Sequence, residues 1–190
     1  MNLKTNSRFT LVTFQIALLF APFAYAIHHL EERHFGFRDW RRLYFPDNNA
    51  LPTEYVSAIL MAMTLAYIIL HSIWTNRASA QAALLFFMAT QVHNVIYHVG
   101  GSLIFQNYSP GTVTALLLYL PVNIFILYKA FQEGWVNTGS AAALFIIGGV
   151  MFWSFEMLGP IFIVIGQALI IIWLAVWAVQ NNKQAVSQTD

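Results

Sequence analysis

Long apolar stretches alternate with short polar segments along the whole chain. Four of these stretches have the length of one membrane-spanning helix, about 20 residues. The last one, 140–180, has 41 residues and only one charged residue, Glu156, and Gly159-Pro160 lies near its middle. Glycine followed by proline ends one helix and allows the next to begin, so we divide this stretch in two. The pattern predicts six helices, at about 10–32, 53–74, 78–100, 112–131, 140–158 and 160–180.

The predicted fold class is all-α, a polytopic membrane helix bundle. Residues 1–190 show no internal repeat and no linker, so we expect a single transmembrane domain. The polar segment 33–52 differs from the other connections, because three of its four arginines lie among aromatic residues between Phe35 and Phe45. This mixture is typical of a helix or loop in the headgroup region. Such a segment serves either as an interfacial connection or as a lid that recruits substrate.

The N-terminal stretch has two interpretations. Residues 10–32 are long enough to cross the bilayer, but 1–26 also resemble a secretory signal peptide, with Lys4 and Arg8 first and Ala24-Tyr25-Ala26 as a cleavage site. Cleavage would leave five spans. Basic residues number five on one side of the predicted membrane and four on the other, which favours the N-terminus inside only slightly.

Composition supports the membrane assignment and narrows the chemistry. Hydrophobic residues make up 58% of the 190 residues and charged residues 9%, against about 25% charged in soluble domains. A net charge of +1 without a basic cluster gives no support for nucleic-acid binding. The absence of cysteine excludes thiolate chemistry and cysteine-ligated metals. Any metal ion must therefore have nitrogen and oxygen ligands.

The order of the predicted helices brings distant polar residues to one side of the membrane. The first, third and fifth spans run in the same direction, so their C-terminal ends share a side, where the fourth span also begins. The residues near these ends are His28, His29, Glu31, Glu32, His93, Asn94, His98 and Glu156, and the turn Tyr108-Ser109-Pro110-Gly111 precedes the fourth span. His71 falls on the opposite side. The sequence therefore predicts one layer of histidines and acids.

Helical spacing selects particular residues within this layer. His28 and Glu32 are four residues apart and share a helix face, with Glu31 on its flank. An imidazole and a carboxylate so placed are able to bind one ion. The alternative is that both acids lie in the headgroup layer beside Arg33, where charge costs little.

In the third predicted span, Gln91, Asn94 and His98 form a polar stripe that we expect to face the bundle interior. His93 points about 140° away from His98, so we favour His98. Interhelical hydrogen bonding is an open alternative for all three members of the stripe. For Glu156, the alternatives are exposure at the membrane surface and pairing with an arginine of 33–52. Ser109 has a structural interpretation as a helix N-cap, with Pro110 in the first turn.

Three motifs in order resemble a known family. His28-His29-Leu30-Glu31-Glu32 matches H-x-x-E-E, Asn94 precedes His98 by four residues, and Tyr108-Ser109-Pro110-Gly111 matches Y-x-P-G. About residues 10–180 resemble the HXXEE-domain family of small bacterial and archaeal membrane proteins. The resemblance implies a multi-pass protein of the cell membrane, such as the bacterial inner membrane. It also implies that His28, Glu31, Glu32, His98 and the 108–111 turn are the important positions, whereas His29, His34 and His93 match no motif.

The leading hypothesis is a metal-dependent enzyme, a hydrolase or an oxidoreductase, that acts on a lipophilic small molecule at one membrane face. His28, Glu32 and His98 would bind a divalent metal, zinc or iron. The candidate catalytic residues are Glu31, Glu156 and Tyr108, with Gln91 and Asn94 in support. Three alternatives remain open: a metal-free isomerase that uses a glutamate and a histidine, a transporter or channel for a cation or proton, and a non-catalytic assembly factor.

Overall fold

All regular secondary structure in the described part of the chain is helical. The computed structural model describes residues 12–47 and 51–187, and the side chains as far as Trp177. The helices are α1 (Phe14–Leu18), α2 (Phe20–His34), α3 (Phe37–Tyr44), α4 (Thr53–Ile73), α5 (Arg77–Phe105), α6 (Thr112–Gln132), α7 (Thr138–Leu158) and α8 (Ile161–Ser187). Within this part, α4, α5, α6 and α7 are long and apolar enough to cross a membrane, and α8 contributes a shorter apolar stretch, Ile161–Trp177. The predicted all-α membrane bundle is confirmed.

The first predicted span is divided into two helices. Its residues 10 and 11, and the two basic residues of the possible signal peptide, Lys4 and Arg8, lie outside the described residues. The break comes at Leu19, whose N–H bonds to the carbonyl of Ile16 instead of continuing the α-helical ladder. Pro22 explains the break, because proline lacks an N–H donor and its ring clashes with the carbonyl four residues earlier. Beyond this break, the histidine-rich end of α2 lies against α5 and α6.

The segment 33–52 contains the short amphipathic helix α3. Trp40 on its inner face is only 5% exposed and packs with Tyr97 of α5. Gly101 makes this packing possible, because a Cβ there would lie 2.7 Å from the Trp40 ring. Residues 48–50 of this segment lie outside the described part of the chain. The helix is thus fixed to the bundle through the aromatic contacts of Trp40.

α5 is the central helix of the bundle. In its most apolar window 72% of the residues are buried, against 28% to 33% in α4, α6 and α7. α7 approaches α5 closely at Gly148, where a Cβ would lie 2.7 Å from the Cβ of Met88. Small residues at helix crossings allow such contact in membranes, where backbone proximity supplies much of the packing energy.

Two wide π-helical turns lie beside the polar layer. They are Met88–Val92 in α5 and Ala115–Tyr119 in α6, the second of them just before Pro121. Pro121 has no N–H, which interrupts the hydrogen-bond ladder of α6, and the π-turn before it accommodates this interruption locally. The Asn123 amide joins the two turns, because it donates to the carbonyl of Tyr119 at 2.8 Å and to Gln91 Oε1 at 2.9 Å. The interhelical hydrogen bonding left open as an alternative for Gln91 is therefore observed.

Candidate metal centre

α2 and α5 bring two histidines and one glutamate together in the bundle interior. Glu32 Oε1 lies 3.4 Å from His28 Nε2 and 3.2 Å from His98 Nε2. The side chains of His28 and His98 are 0% exposed and that of Glu32 is 3% exposed. These three residues form a group whose potential ligand atoms all lie within 4.8 Å of one another. Residues separated by 70 positions in sequence thus converge on one point.

The other nitrogen of each ring is held by a hydroxyl group. His28 Nδ1 is 2.9 Å from Thr114 Oγ1, and His98 Nδ1 is 2.9 Å from Ser109 Oγ. When each Nδ1–H donates to its hydroxyl oxygen, each Nε2 presents a lone pair to the centre. Both Nε2 atoms are buried, and their contacts with Glu32 Oε1 lack hydrogen-bond geometry. Metal-binding histidines are typically oriented by a second hydrogen bond of this kind.

Two of the three spacings between the ligand atoms fit a small divalent cation. Nitrogen and oxygen atoms at about 2.0–2.2 Å from a tetrahedral zinc lie roughly 3.4 Å from each other. The two distances from Glu32 Oε1, 3.4 and 3.2 Å, agree with this value. Three protein ligands with a remaining position are the arrangement of catalytic zinc sites. Hard and borderline ions such as zinc or iron suit an imidazole and carboxylate set.

Gly111 forms the wall behind both histidine rings. A Cβ at this position would lie 2.7 Å from His98 Cε1 and 2.8 Å from His28 Cε1. Its φ of +107° is also a conformation that other residues rarely adopt. The glycine of the Y-x-P-G motif is therefore required for two reasons, the backbone turn and the close approach of the rings.

Glu31 binds the turn that carries this glycine. Its carboxylate accepts hydrogen bonds from the backbone N–H groups of Gly111 at 3.0 Å and Thr114 at 2.8 Å, and from the Tyr108 hydroxyl. A carboxylate at the N-terminus of a helix satisfies donors that have no partner within the helix. Burial, followed by the hydrogen bond to Glu31, raises the pKa of Tyr108 to about 12, so this hydroxyl remains a donor at neutral pH.

The interpretation of Ser109 as an N-cap is wrong. α6 begins at Thr112, and Gly111 precedes it, so Pro110 does not occupy the first helical turn. The Ser109 hydroxyl instead contacts His98, and its backbone N–H donates to Ser102 Oγ at 2.9 Å. Sequence reasoning places capping serines correctly only when the helix start is known, and here Glu31 supplies the cap from a distant helix.

Glu156 pairs with an arginine of the first connection, one of the two alternatives left open for it. Arg41 Nε lies 2.9 Å from Glu156 Oε2, and Arg41 Nη2 donates to the Glu156 carbonyl at 2.8 Å. The pair joins α3 to the end of α7. Glu156 lies with Glu32 on the wall of one interior cavity, although it is not among the three clustered ligands.

The remaining asparagine and histidines named in the sequence analysis lie outside the group formed by His28, Glu32 and His98. Asn94 lines the same cavity, and its Oδ1 is buried without a hydrogen-bond partner. His93 faces away from the centre, where its Nδ1 lies 2.9 Å from the carbonyl of Met88. His71 contacts Ser79 near the other end of the bundle, with Nδ1 and Oγ 2.9 Å apart. His34 is exposed.

Sequence reasoning gave too little weight to His29. Its Nδ1 lies 2.5 Å from Glu32 Oε2, on the carboxylate oxygen that does not face His28 and His98. Tyr25 and Tyr119 pack against this group, with ring centroids 4.2 Å apart for Tyr25 and His29 and 4.3 Å apart for Tyr119 and His28. The i, i+3 spacing of His29 and Glu32 is the sequence signal for this contact, although His29 matches no motif position.

Comparison with known proteins gives one family and one relative. The family described as "Protein of unknown function with HXXEE motif" matches residues 19–126, more than half of the chain. The protein is 28% identical to the "Uncharacterized protein YrkK" of Bacillus subtilis (strain 168) over 118 residues, which cover 60% of this chain and 74% of the relative. No solved structure matches it. The matched region includes His28, Glu31, Glu32, His98 and the 108–111 turn, and the chain belongs to the HXXEE family.

Proposed function

We propose that this protein is a metal-dependent enzyme, a hydrolase or an oxidoreductase, of a bacterial inner membrane that acts on a lipophilic substrate. One observation carries the proposal. The buried Nε2 atoms of His28 and His98 face the same oxygen of Glu32, at 3.4 and 3.2 Å, and neither has hydrogen-bond geometry to a protein group. Buried polar atoms are normally satisfied, and a ligand is one explanation for atoms that are not. A divalent cation would satisfy both nitrogens at once.

The protein groups around this point are suited to reactions of a bound water. A zinc or iron ion held by these residues would polarise substrate oxygens and lower the pKa of a bound water towards neutrality. His29 contacts the outer oxygen of Glu32 at 2.5 Å and orients that carboxylate. Glu156 is the candidate acid or base on the cavity wall, and Glu31 with Tyr108 positions the turn behind the histidines.

An interior cavity gives the centre access to a substrate. It has a volume of about 120 Å³, and its wall includes Glu32 and His29 at one end. The rest of the wall is mainly apolar and aromatic, from α4, α5, α7 and α8, with Leu60, Phe86, Phe152 and Phe162 among the residues. Cavities with an apolar wall and a few convergent polar groups are the usual form of small-molecule sites. An apolar substrate dissolved in the bilayer matches this wall.

The test is elemental analysis of protein purified in detergent without added metal. We expect about one zinc or iron per wild-type chain, and loss of the metal in His98→Ala and Glu32→Gln. His34→Ala and Glu54→Gln, which change exposed groups of the same types, should retain it. Thermal denaturation of each variant separates loss of the site from loss of the fold. Wild-type protein that stays metal-free after incubation with zinc and with ferrous iron would contradict the proposal.

A metal-free acid–base enzyme is the second candidate, and the short contact between His29 and Glu32 favours it. A histidine and a carboxylate in direct contact are able to transfer a proton to and from a lipid, as an isomerase requires. Under this alternative, His29→Gln abolishes isomerisation of the lipid, and neither the wild-type protein nor the variant contains metal. The transporter and assembly-factor hypotheses predict, in contrast, that no variant of the centre changes a lipid product.

A further inference from the structure

We propose that the interior cavity binds a lipophile whose polar group is an uncharged hydroxyl, and that Tyr25, Tyr119 and Asn94 recognise this group. The inference rests on the proposed function in treating the bound molecule as the substrate. Its claim about what the cavity binds is independent of any metal. The argument uses unpaired polar atoms, paired charges and the size of the cavity.

Besides His29, whose Nε2 is also unpartnered, three polar side chains on the cavity wall have a buried atom without a partner. They are the hydroxyls of Tyr25 and Tyr119 and the Oδ1 of Asn94. Tyr25 is 2% exposed and Tyr119 1% exposed. A buried unsatisfied polar group costs about 1–3 kcal/mol, so a ligand that satisfies it gains a comparable amount. The tyrosines offer donors and Asn94 offers an acceptor. A hydroxyl both accepts and donates, and is therefore complementary to this set.

The charged groups of the wall already have protein partners. Arg41 pairs with Glu156 at 2.9 Å, and Asp47 pairs with Arg42 at 3.0 Å. The Arg38 guanidinium donates to the carbonyl of Leu51 at 3.0 Å. An ionised headgroup would have to break one of these pairs or remain uncompensated in a low-dielectric interior, at a cost of several kcal/mol. The charges of the described wall therefore select against a carboxylate, a phosphate or a quaternary amine.

The size of the cavity limits how much of the molecule is enclosed. Its volume of about 120 Å³ is smaller than the roughly 150 Å³ of an engineered protein cavity that takes up benzene. The space accommodates a polar end and the first few carbons of a chain. The wall also includes the exposed residues Asp47 and Leu51, so one end of the cavity reaches the surface of the protein. The remainder of a longer chain would leave by that end.

The test is photolabelling of the full-length protein in detergent with a diazirine analogue of 1-octanol. The carboxylic acid and the trimethylammonium compound of the same chain length serve as matched probes. We expect the alcohol to label residues of the cavity wall, mapped by mass spectrometry, and excess unlabelled 1-octanol to suppress this labelling. The two charged probes should label the wall at least tenfold less.

Variants test the recognition residues. Tyr119→Phe and Tyr25→Phe remove one hydroxyl each and should reduce wall labelling by the alcohol about five- to tenfold, since one hydrogen bond is worth about 1 kcal/mol or more. Tyr97→Phe, a buried tyrosine outside the cavity wall, should leave it unchanged. Equal labelling of the wall by the acid, or labelling confined to lipid-facing residues, would overturn the inference. Specific labelling of a protein that binds no metal would overturn only the proposed function.

Discussion

The two glutamates of the H-x-x-E-E motif bind different partners, although they are adjacent in sequence. Glu32 faces His28 and His98, whereas Glu31 accepts hydrogen bonds from the 108–111 turn. Consecutive residues on a helix point about 100° apart, so one carboxylate reaches into the bundle while the other reaches α6. The motif therefore places one glutamate in the candidate metal centre and the other against the 108–111 turn.

Replacement of the single residue Gly111 tests the candidate metal centre. In Gly111→Ala, the new Cβ would meet both histidine rings at less than 3 Å, and the φ of +107° adds backbone strain. We expect the metal content of purified protein to fall at least tenfold, because displaced imidazoles lose the ligand geometry. Gly100→Ala is the control, since a Cβ there has no neighbour within 4 Å. Metal content equal to wild type in Gly111→Ala would show that the rings do not act as ligands.

At the scale of elements, the contact between α5 and α7 depends on glycine. A Cβ at Gly148 would lie 2.7 Å from Met88 Cβ and 3.0 Å from the backbone nitrogen of Ala89, so α7 has to move away. We expect Gly148→Ala to destabilise the folded protein by about 1–3 kcal/mol, the usual cost of overpacking. The measurement is the midpoint of thermal denaturation in detergent.

The control for this prediction is Gly139→Ala in the first turn of α7. Its Cβ would meet only Asn137 Oδ1, at an ordinary 3.5 Å. We expect its midpoint to equal that of wild type or to rise, because alanine has the higher helix propensity. A Gly148→Ala midpoint that matches the control would mean that α5 and α7 are less tightly packed than described.

For the whole molecule, the order of the spans predicts opposite locations for two loops. Asn107 lies in the α5–α6 connection beside the centre, and Gln132 lies at the other end of α6. Both are exposed, and the natural sequence has no cysteine, so single cysteines report on accessibility without background. With the N-terminus inside, as slightly favoured by the basic residues, Asn107→Cys should react with an impermeant maleimide on intact cells. Gln132→Cys should react only after permeabilisation.

The results of this labelling distinguish a reversed orientation of the protein from an α6 that does not cross the membrane. Reaction of Gln132→Cys alone on intact cells would reverse the orientation and leave the bundle unchanged. Reaction of both variants on intact cells would place both ends of α6 on one side of the membrane. That outcome is incompatible with α6 as a span and with the layer argument that brought the polar residues together.

The sequence by itself determined the helical membrane fold and the layer of polar residues. Hydrophobic runs of bilayer length have few alternatives, since backbone polar groups in lipid must be satisfied within a helix or a closed barrel. Alternation of span direction then places the ends of α2, α5 and α7 on the same side. The i, i+4 spacing of His28 and Glu32 needed only helix geometry.

The tertiary structure alone decided which polar groups meet within that layer. Helix rotation, the break at Leu19 and the π-turns fix the direction of each side chain, and none of these follows from hydrophobic periodicity. For this reason the sequence alone did not predict that Glu31 binds the 108–111 turn, or that His29 contacts Glu32. Distances of a few ångströms between α2, α5 and α6 depend on packing against the whole bundle, and a pattern read along one chain does not contain them.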